Sequence, residues 1–363
     1  MTKPTEFAVV PSTTAVSAER RGDMLAEPGF GRYFTDHMCV AEWTSEQGWH
    51  AAQIKPYGPF SIDPANSILH YAQEIFEGLK AYRHADSTVW TFRPEVNAAR
   101  FQRSAARMAL PLLPEELFLQ AIELLVQTDV EWVPDGSDER SLYLRPFMFA
   151  SEVFLGVRPS KHVTFAVIAS PAGPYFPGGV EPVSMWLSED YSRAAPGGTG
   201  AAKCGGNYAA SLAAQAEAIE NRCDQVVFLD AVNKHEIEEL GGMNIFFVHG
   251  DGTIVTPPLN GSILEGVTRA SVLVLAEELG YRAEERSVSI EQWREGVASG
   301  DIEEVFACGT AAVVTPVGVL KWRGGQLSCG DDAGKVTTTI RERLLDIQYG
   351  RVEDSHRWLH RLV

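Results

Sequence analysis

Apolar and polar positions in this chain repeat with two periods, and the switches between them outline the elements. CVAEW (39–43) and TVWTF (88–92), set off by the turn residues EQG and HADS, read as strands. From Pro94 the period lengthens: Phe101, Ala105, Met108 and Leu112 recur at helical spacing, which predicts a helix over 94–112, and a second is expected over 116–130. LYLRPFMFA (142–150) and KHVTFAVIAS (161–170) are strand-like, the latter so continuously apolar that both its faces should be buried. PVSMWL, QVVFLDAV and NIFFV follow as strands, and the last is joined to TIVTP by the hairpin signal HGDG. EEVFACGTAAVVTPVG gives two strand runs around a CGT turn, and VLKWRGGQLSC gives another hairpin. Asn207 stands in a capping position ahead of Ala209, Leu212, Ala213, Ala216 and Ile219 at helical period. A further helix starts near Gly266, uses Val267, Ala270, Val274 and Leu275, and stops at Gly280. His356 and His360, four residues apart, fit one face of a terminal helix.

Strands, helices and small hairpins are mixed in both halves, which argues for an α+β fold over one doubly wound sheet. A chain of 363 residues exceeds what one core usually supports, so two domains are expected. SPAGPYFPGG (170–179), rich in proline and glycine, is the linker candidate. The expected division is an N-terminal arm at 1–30, with residues 1–25 mobile by their Thr, Ser and Ala content, a small domain at 31–169, the linker at 170–179 and a large domain at 180–363. No internal repeat or low-complexity tract interrupts this plan.

Charge and cysteine usage narrow the partners. With 48 acidic against 31 basic residues the formal charge is -17, which repels phosphate backbones and anionic lipid surfaces, so neither nucleic acid nor membrane is expected as a partner. No continuous apolar leader segment and no long apolar run is present, and a cytoplasmic location is expected. The five cysteines lack CxxC spacing, and the His356/His360 pair has no carboxylate nearby in sequence, so no disulfide framework and no metal site is expected.

One stretch stands apart. In GGTGAAKCGGNYAA (197–210) the single charge is Lys203, set among glycines and alanines. The P-loop pattern GxxxxGK[ST] fails on both sides of the lysine, and a dinucleotide GxGxxG fails because lysine stands where the third glycine belongs. Two readings remain: a flexible exposed loop, or a lysine that forms a Schiff base, whose nucleophilic amine is favoured by an apolar setting without a paired carboxylate. The second would require, elsewhere in the chain, an anion site and an acid for a cofactor ring. Gly266, Val267 and Thr268 at a helix start offer the first, and of Glu236, Glu238 and Glu239 in HEIEELGGMNIFFV, Glu239 is expected to point inward.

Taken together, HYAQEIFEGLKAYR (70–83), SLYLRPFMFASEVFLGV (141–157), GAAKCGGNYAAS (200–211), EELGGMNIFFV (238–248), TPPLNGSILEGVTR (256–269) and FACGTAAVVTPV (306–317) resemble the branched-chain aminotransferases of the fold-type IV pyridoxal-phosphate class, in that family's order from about residue 30 to residue 320. The resemblance implies a two-domain, D-amino-acid-aminotransferase-like architecture with pyridoxal 5'-phosphate (PLP) held between the domains. It implies Lys203 as the residue that binds the cofactor and moves the substrate proton, Tyr208 on the phenolic oxygen, Glu239 on the ring nitrogen and Leu264 against the ring face. Arg100, Gly266, Val267, Thr268 and Thr310 would hold the phosphate, while Arg103 and Arg107 on the same helix read as a solvated stripe.

For substrates it implies a pocket of Phe34, Tyr71, Phe76, Tyr143, Arg145, Tyr175 and Gly242, with the glutamate carboxylate on Arg145 and Tyr143 and the α-carboxylate on the N–H groups of Thr310 and Ala311. Leu155 and Val157 match positions that reach a neighbouring subunit's pocket, which implies a homodimer. Two departures stand out: Ala312 and Thr315 replace a CxxC found in animal members, and Gly242 replaces a threonine of some members. The implied activity is amino-group exchange between leucine, isoleucine or valine and 2-oxoglutarate. D-amino-acid aminotransferase and aminodeoxychorismate lyase share the fold and are the alternatives, with a non-catalytic phosphate- or nucleotide-binding module as a third.

Overall fold

The computed structural model describes residues 7–175 and 180–363. The chain forms two compact units, one of Met1–Tyr175, Ala202–Gly205 and Ile347–Val363, the other of Phe176–Ala201 and Gly206–Asp346. Residues 176–179 of the linker reading lie outside the described residues.

In the first unit the described strands form one mixed sheet in the order Ala8–Val9, Gly48–Pro56, His37–Thr44, His162–Ala172, Ser141–Ala150, Leu79–Arg83, Val89–Phe92, Leu359–Arg361, with Glu74–Phe76 paired to Ser141–Ala150. The helices Pro94–Arg107 and Glu115–Thr128 carry the apolar faces that close its core, where Phe101, Phe118 and Phe165 meet with ring centroids 5.3 to 6.4 Å apart. The continuous apolar run of His162–Ala172 is buried along nearly its whole length, as both-face burial requires. In the second unit the order is Ile237–Leu240, Gln225–Leu229, Val183–Ser188, Val313–Trp322, Ile302–Gly309, Asn244–His249, Thr253–Thr256, Arg282–Glu285. Both expected hairpins form, Asn244–His249 with Thr253–Thr256 and Val313–Trp322 with Gly325–Ser328. The helix Ile290–Ser299 is closed by a capping box between Ser289 and Gln292. Ser289→Ala will lower the stability of this unit by about 1 kcal/mol, read by denaturant unfolding, because an N–H of the first turn loses its acceptor.

Four sequence expectations change. The helix from Pro94 ends at Arg107 and Leu112 is exposed, because Ala109 turns to φ 53° and Pro111 bars its predecessor from helical backbone. Asn207 lies inside the helix Gly205–Glu220, where its side chain bonds Thr199 instead of capping. That helix buries Asn207, Ser211, Ala214 and Ala218, so the apolar stripe containing Leu212 and Ile219 faces outward. The terminal helix, Lys335–Gln348, stops before both histidines: His356 stacks on Trp358, and His360 lies in the strand Leu359–Arg361, which pairs with Val89–Phe92 in the first unit. The arm is bound within its described residues: Ala8 pairs with Gln53, the Ser12 N–H donates to His37 Nε2 at 2.8 Å, and Ser17 caps the helix Ala18–Ala26. A sheet edge supplies its partners, which local composition does not register.

Among the described residues no helix is long and apolar enough to cross a membrane, and no group of three or more His, Cys, Asp or Glu is placed to hold a metal ion.

Candidate active site

In the first unit the chain around Lys203 is fixed through its backbone. The Lys203 N–H donates to Ser104 Oγ at 3.0 Å, its carbonyl accepts from the Phe76 N–H at 2.9 Å, and the Gly205 N–H donates to the Glu74 carboxylate. Gly205 permits this last bond, since a Cβ there would collide with Glu74 Oε1. Burial raises the Glu74 carboxyl against the opposing pulls of the Gly205 N–H and the Arg145 charge. The half-buried Lys203 side chain places Nζ 4.9 Å from the centre of the Phe76 ring.

An acid does face this lysine, contrary to what its sequence neighbourhood suggests. Glu77 is fully buried, and its oxygens accept from Arg100 Nε at 2.7 Å and Nη2 at 2.8 Å, from Asn97 Nδ2 at 2.7 Å and from the Gly78 N–H at 3.2 Å. Burial alone would raise its carboxyl. The Arg100 charge and hydrogen bonds, with smaller pulls from Lys203 and Asn97, hold it below the usual carboxylate range. Arg100 is buried while Arg103 and Arg107 on the same helix are exposed.

Alternation along Ser141–Ala150 puts Tyr143 and Arg145 on one face. Arg145 Nη2 donates to Tyr143 Oη at 2.9 Å, and its guanidinium carbon lies 4.7 Å from the Phe76 ring centre and 5.3 Å from that of Tyr143. Phe30 bridges Tyr143 and Tyr175, edge to face at 5.0 and 5.2 Å. Phe34 stacks instead on Tyr57 at 5.1 Å, and the exposed Tyr71 donates its hydroxyl to the Leu155 carbonyl. Leu155 and Val157 are 58% and 87% exposed.

In the second unit Glu239 is 2% exposed at the edge of the sheet. Its Oε2 pairs with Arg193 Nη2 at 2.7 Å and accepts from the Leu264 N–H at 3.0 Å, which ties the expected ring-face residue to the expected ring-nitrogen acid. Gly266 ends an extended approach at the N-cap of the helix Val267–Glu278, with Val267 and Thr268 in its first turn. No side chain caps that end, and a Cβ at Gly266 would strike Asn244 Oδ1. The pairing of Asn244–His249 with Ile302–Gly309 brings the turns 241–243 and 309–311 together: a Cβ at Gly309 would lie 3.4 Å from Met243 Cγ and 3.7 Å from the Gly242 carbonyl. Thr310 and Ala311 occupy that turn, half-buried. Tyr208 Cε1 would lie 3.7 Å from a Cβ at Gly242, an ordinary contact, so a Cβ fits there.

Each unit thus gathers its own part of the expected set. The first joins Lys203, Phe76, Tyr143 and Arg145, with Arg100 reached through Glu77 and Tyr175 through Phe30. Phe34 and Tyr71 stand with other partners. The second joins Glu239 with Leu264, Tyr208 with Gly242, and holds the helix start at Gly266–Thr268 and the turn at Thr310. The residue types suit PLP: a half-buried amine, a buried ionic carboxylate, and a helix N-terminus without a side-chain cap for a phosphate. Glu77, Glu74, Ser104, Phe30 and Arg193 are missing from the sequence reading. The two acids lie within the motif HYAQEIFEGLKAYR, and Arg193 directly precedes the charge-poor stretch around Lys203.

The family model described as amino-transferase class IV matches residues 74–320. A probable branched-chain-amino-acid aminotransferase of Streptomyces coelicolor is 58% identical over 364 residues, covering 100% of both chains. The crystal structure of a T.th. branched-chain amino acid aminotransferase with pyridoxamine 5'-phosphate superposes with a TM-score of 0.74 at 30% identity, over 89% of this chain and 98% of that one. The same enzyme complexed with N-(5'-phosphopyridoxyl)-L-glutamate gives a TM-score of 0.73 at 30% identity and the same coverage.

Proposed function

This chain belongs to the class IV aminotransferases, among the branched-chain-amino-acid aminotransferases, and from that membership we propose that it exchanges the amino group between leucine, isoleucine or valine and 2-oxoglutarate, with PLP as cofactor and Lys203 as its attachment point. The observation that carries the assignment of the lysine is its setting: a backbone held at three points, with Nζ over the Phe76 ring.

PLP supplies an electron sink that stabilises negative charge at the substrate Cα. Lys203 Nζ would hold the cofactor, and once free it would take the Cα proton and later return it. Glu239, ion-paired with Arg193, would accept from the ring N–H. Arg100 and the backbone N–H groups at Val267 and Thr268 would hold the phosphate, helped by the Thr268 and Thr310 hydroxyls. Tyr208 would donate to the phenolic oxygen, and Leu264 would lie against the ring. Thr310 and Ala311 offer N–H groups to the substrate α-carboxylate.

The pocket must accept an aliphatic side chain and also a second carboxylate. Phe76, Tyr143 and Tyr175 would provide apolar wall, and Arg145 with Tyr143 the fork for the carboxylate. Arg145 leans on two aromatic rings and its buried Nε has no hydrogen-bond partner among the described residues, so removing it changes the charged substrate more than the aliphatic one. Arg145→Met will raise KM for 2-oxoglutarate by about 10–100-fold while changing KM for leucine by less than about threefold, in steady-state assays varying each substrate.

We place Leu155, Val157 and Tyr71 in a homodimer contact, since these residues, with Leu69 and Val153, form an exposed apolar patch of the kind that marks an interface. All five cysteines are buried and unbridged, which supports a reducing cytoplasmic setting. Parallel incubation with L-leucine, L-isoleucine, L-valine, D-alanine and aminodeoxychorismate tests the assignment. Activity with the three branched-chain substrates and 2-oxoglutarate is expected. Preference for D-alanine or for aminodeoxychorismate would move the chain to one of its fold relatives.

A further inference from the structure

We propose that Arg193 is a positioning residue that acts on the cofactor ring through Glu239: it keeps that buried carboxylate ionised and aimed, and thereby keeps the ring nitrogen protonated. The inference rests on the reading of Glu239 as the ring-nitrogen acid.

Both groups are taken from water, at 7% and 2% exposure. A carboxylate in such a place turns neutral unless a cation faces it at close range. Arg193 supplies that cation, with Nη2 2.7 Å from Glu239 Oε2. The Leu264 N–H, at 3.0 Å from the same oxygen, adds a dipole but no charge. The nearby Cys308 thiol, itself pushed far up by burial, offers no compensation. A neutral carboxyl would present the ring nitrogen with a weak acceptor, and the nitrogen would lose the positive charge that makes the ring an electron sink.

The guanidinium also fixes where the carboxylate sits. Nη2 donates to the Ser262 carbonyl and lies 3.4 Å from the Gly200 carbonyl, so one nitrogen gathers the segments leading into Lys203 and into Leu264 around Glu239. The two backbones approach so closely that a Cβ on Gly200 would strike the Ser262 carbonyl. An arginine that only braced these loops would affect every ligand of the site alike. One that works through Glu239 affects only a ring that has a nitrogen to protonate.

The test compares the affinity of cofactor-free protein for pyridoxamine 5'-phosphate and for its 1-deaza analogue, in which carbon replaces the ring nitrogen, by titration calorimetry. Wild type is expected to prefer the natural ring by at least about tenfold, the size of one charge-assisted hydrogen bond. The preference should collapse to about threefold or less in both Arg193→Met and Glu239→Gln, and survive in Arg193→Lys, which keeps the charge. Arg193→Gln is read in the same way where Arg193→Met does not fold. A preference lost in Glu239→Gln but intact in the neutral Arg193 variants overturns the inference and leaves the Glu239 reading standing. A preference intact in Glu239→Gln overturns both.

Discussion

Lys203→Ala will lower kcat for leucine with 2-oxoglutarate by at least about 10⁴-fold, the upper end of what a positioned general base contributes, because on the proposed function the same amine both attaches the cofactor and moves the Cα proton. The fold should survive the change. The bonds that hold this segment run through the Lys203 N–H and carbonyl and the Gly205 N–H, all of which alanine keeps, and the lysine side chain is only half-buried. The variant should therefore melt close to wild type while losing the borohydride-sensitive absorbance of the loaded enzyme. Turnover near the wild-type rate would sink the assignment of Lys203, and a large fall in melting temperature would transfer the loss of activity to structure.

The kind of signal that singles out Lys203 also explains what stays hidden. A lysine without charged neighbours over a glycine-rich stretch is a local pattern, and local patterns are what a single sequence displays. The same pattern suggests that no acid faces the amine, which is wrong in space: Glu77 arrives from a distant segment, and its carboxylate is read correctly only once Arg100 and Asn97 are seen around it. Arg193 is hidden in a similar way, since its partner Glu239 lies far along the chain. Periodicity identifies the helix Gly205–Glu220 but does not tell its buried face, since Asn207 and Ser211 are inside and Leu212 and Ile219 outside. A period tells that a face is apolar and leaves open what covers it. The continuous apolar strand His162–Ala172 and the turn hairpins are legible because their signals need no distant partner.

Glu77→Ala will reduce the stability of the first unit of the cofactor-free protein by about 3–5 kcal/mol, measured by denaturant unfolding at neutral pH, because it leaves the buried Arg100 guanidinium without its carboxylate. Glu77→Gln, which keeps an oxygen for Asn97 but no charge for Arg100, should fall between the two. The pH dependence has a definite sign. The folded-state carboxyl titrates below its unfolded value of about 4.3, so the difference between wild type and Glu77→Gln is fully present above that value and is lost as pH falls through the lower folded one. Saturating pyridoxamine 5'-phosphate will narrow the gap at neutral pH if Arg100 meets the cofactor phosphate, since the phosphate then supplies the anion that Glu77 no longer does. An unchanged gap would mean that Arg100 serves Glu77 alone, and the phosphate would then rest on the helix start at Val267 and Thr268 and on Thr310.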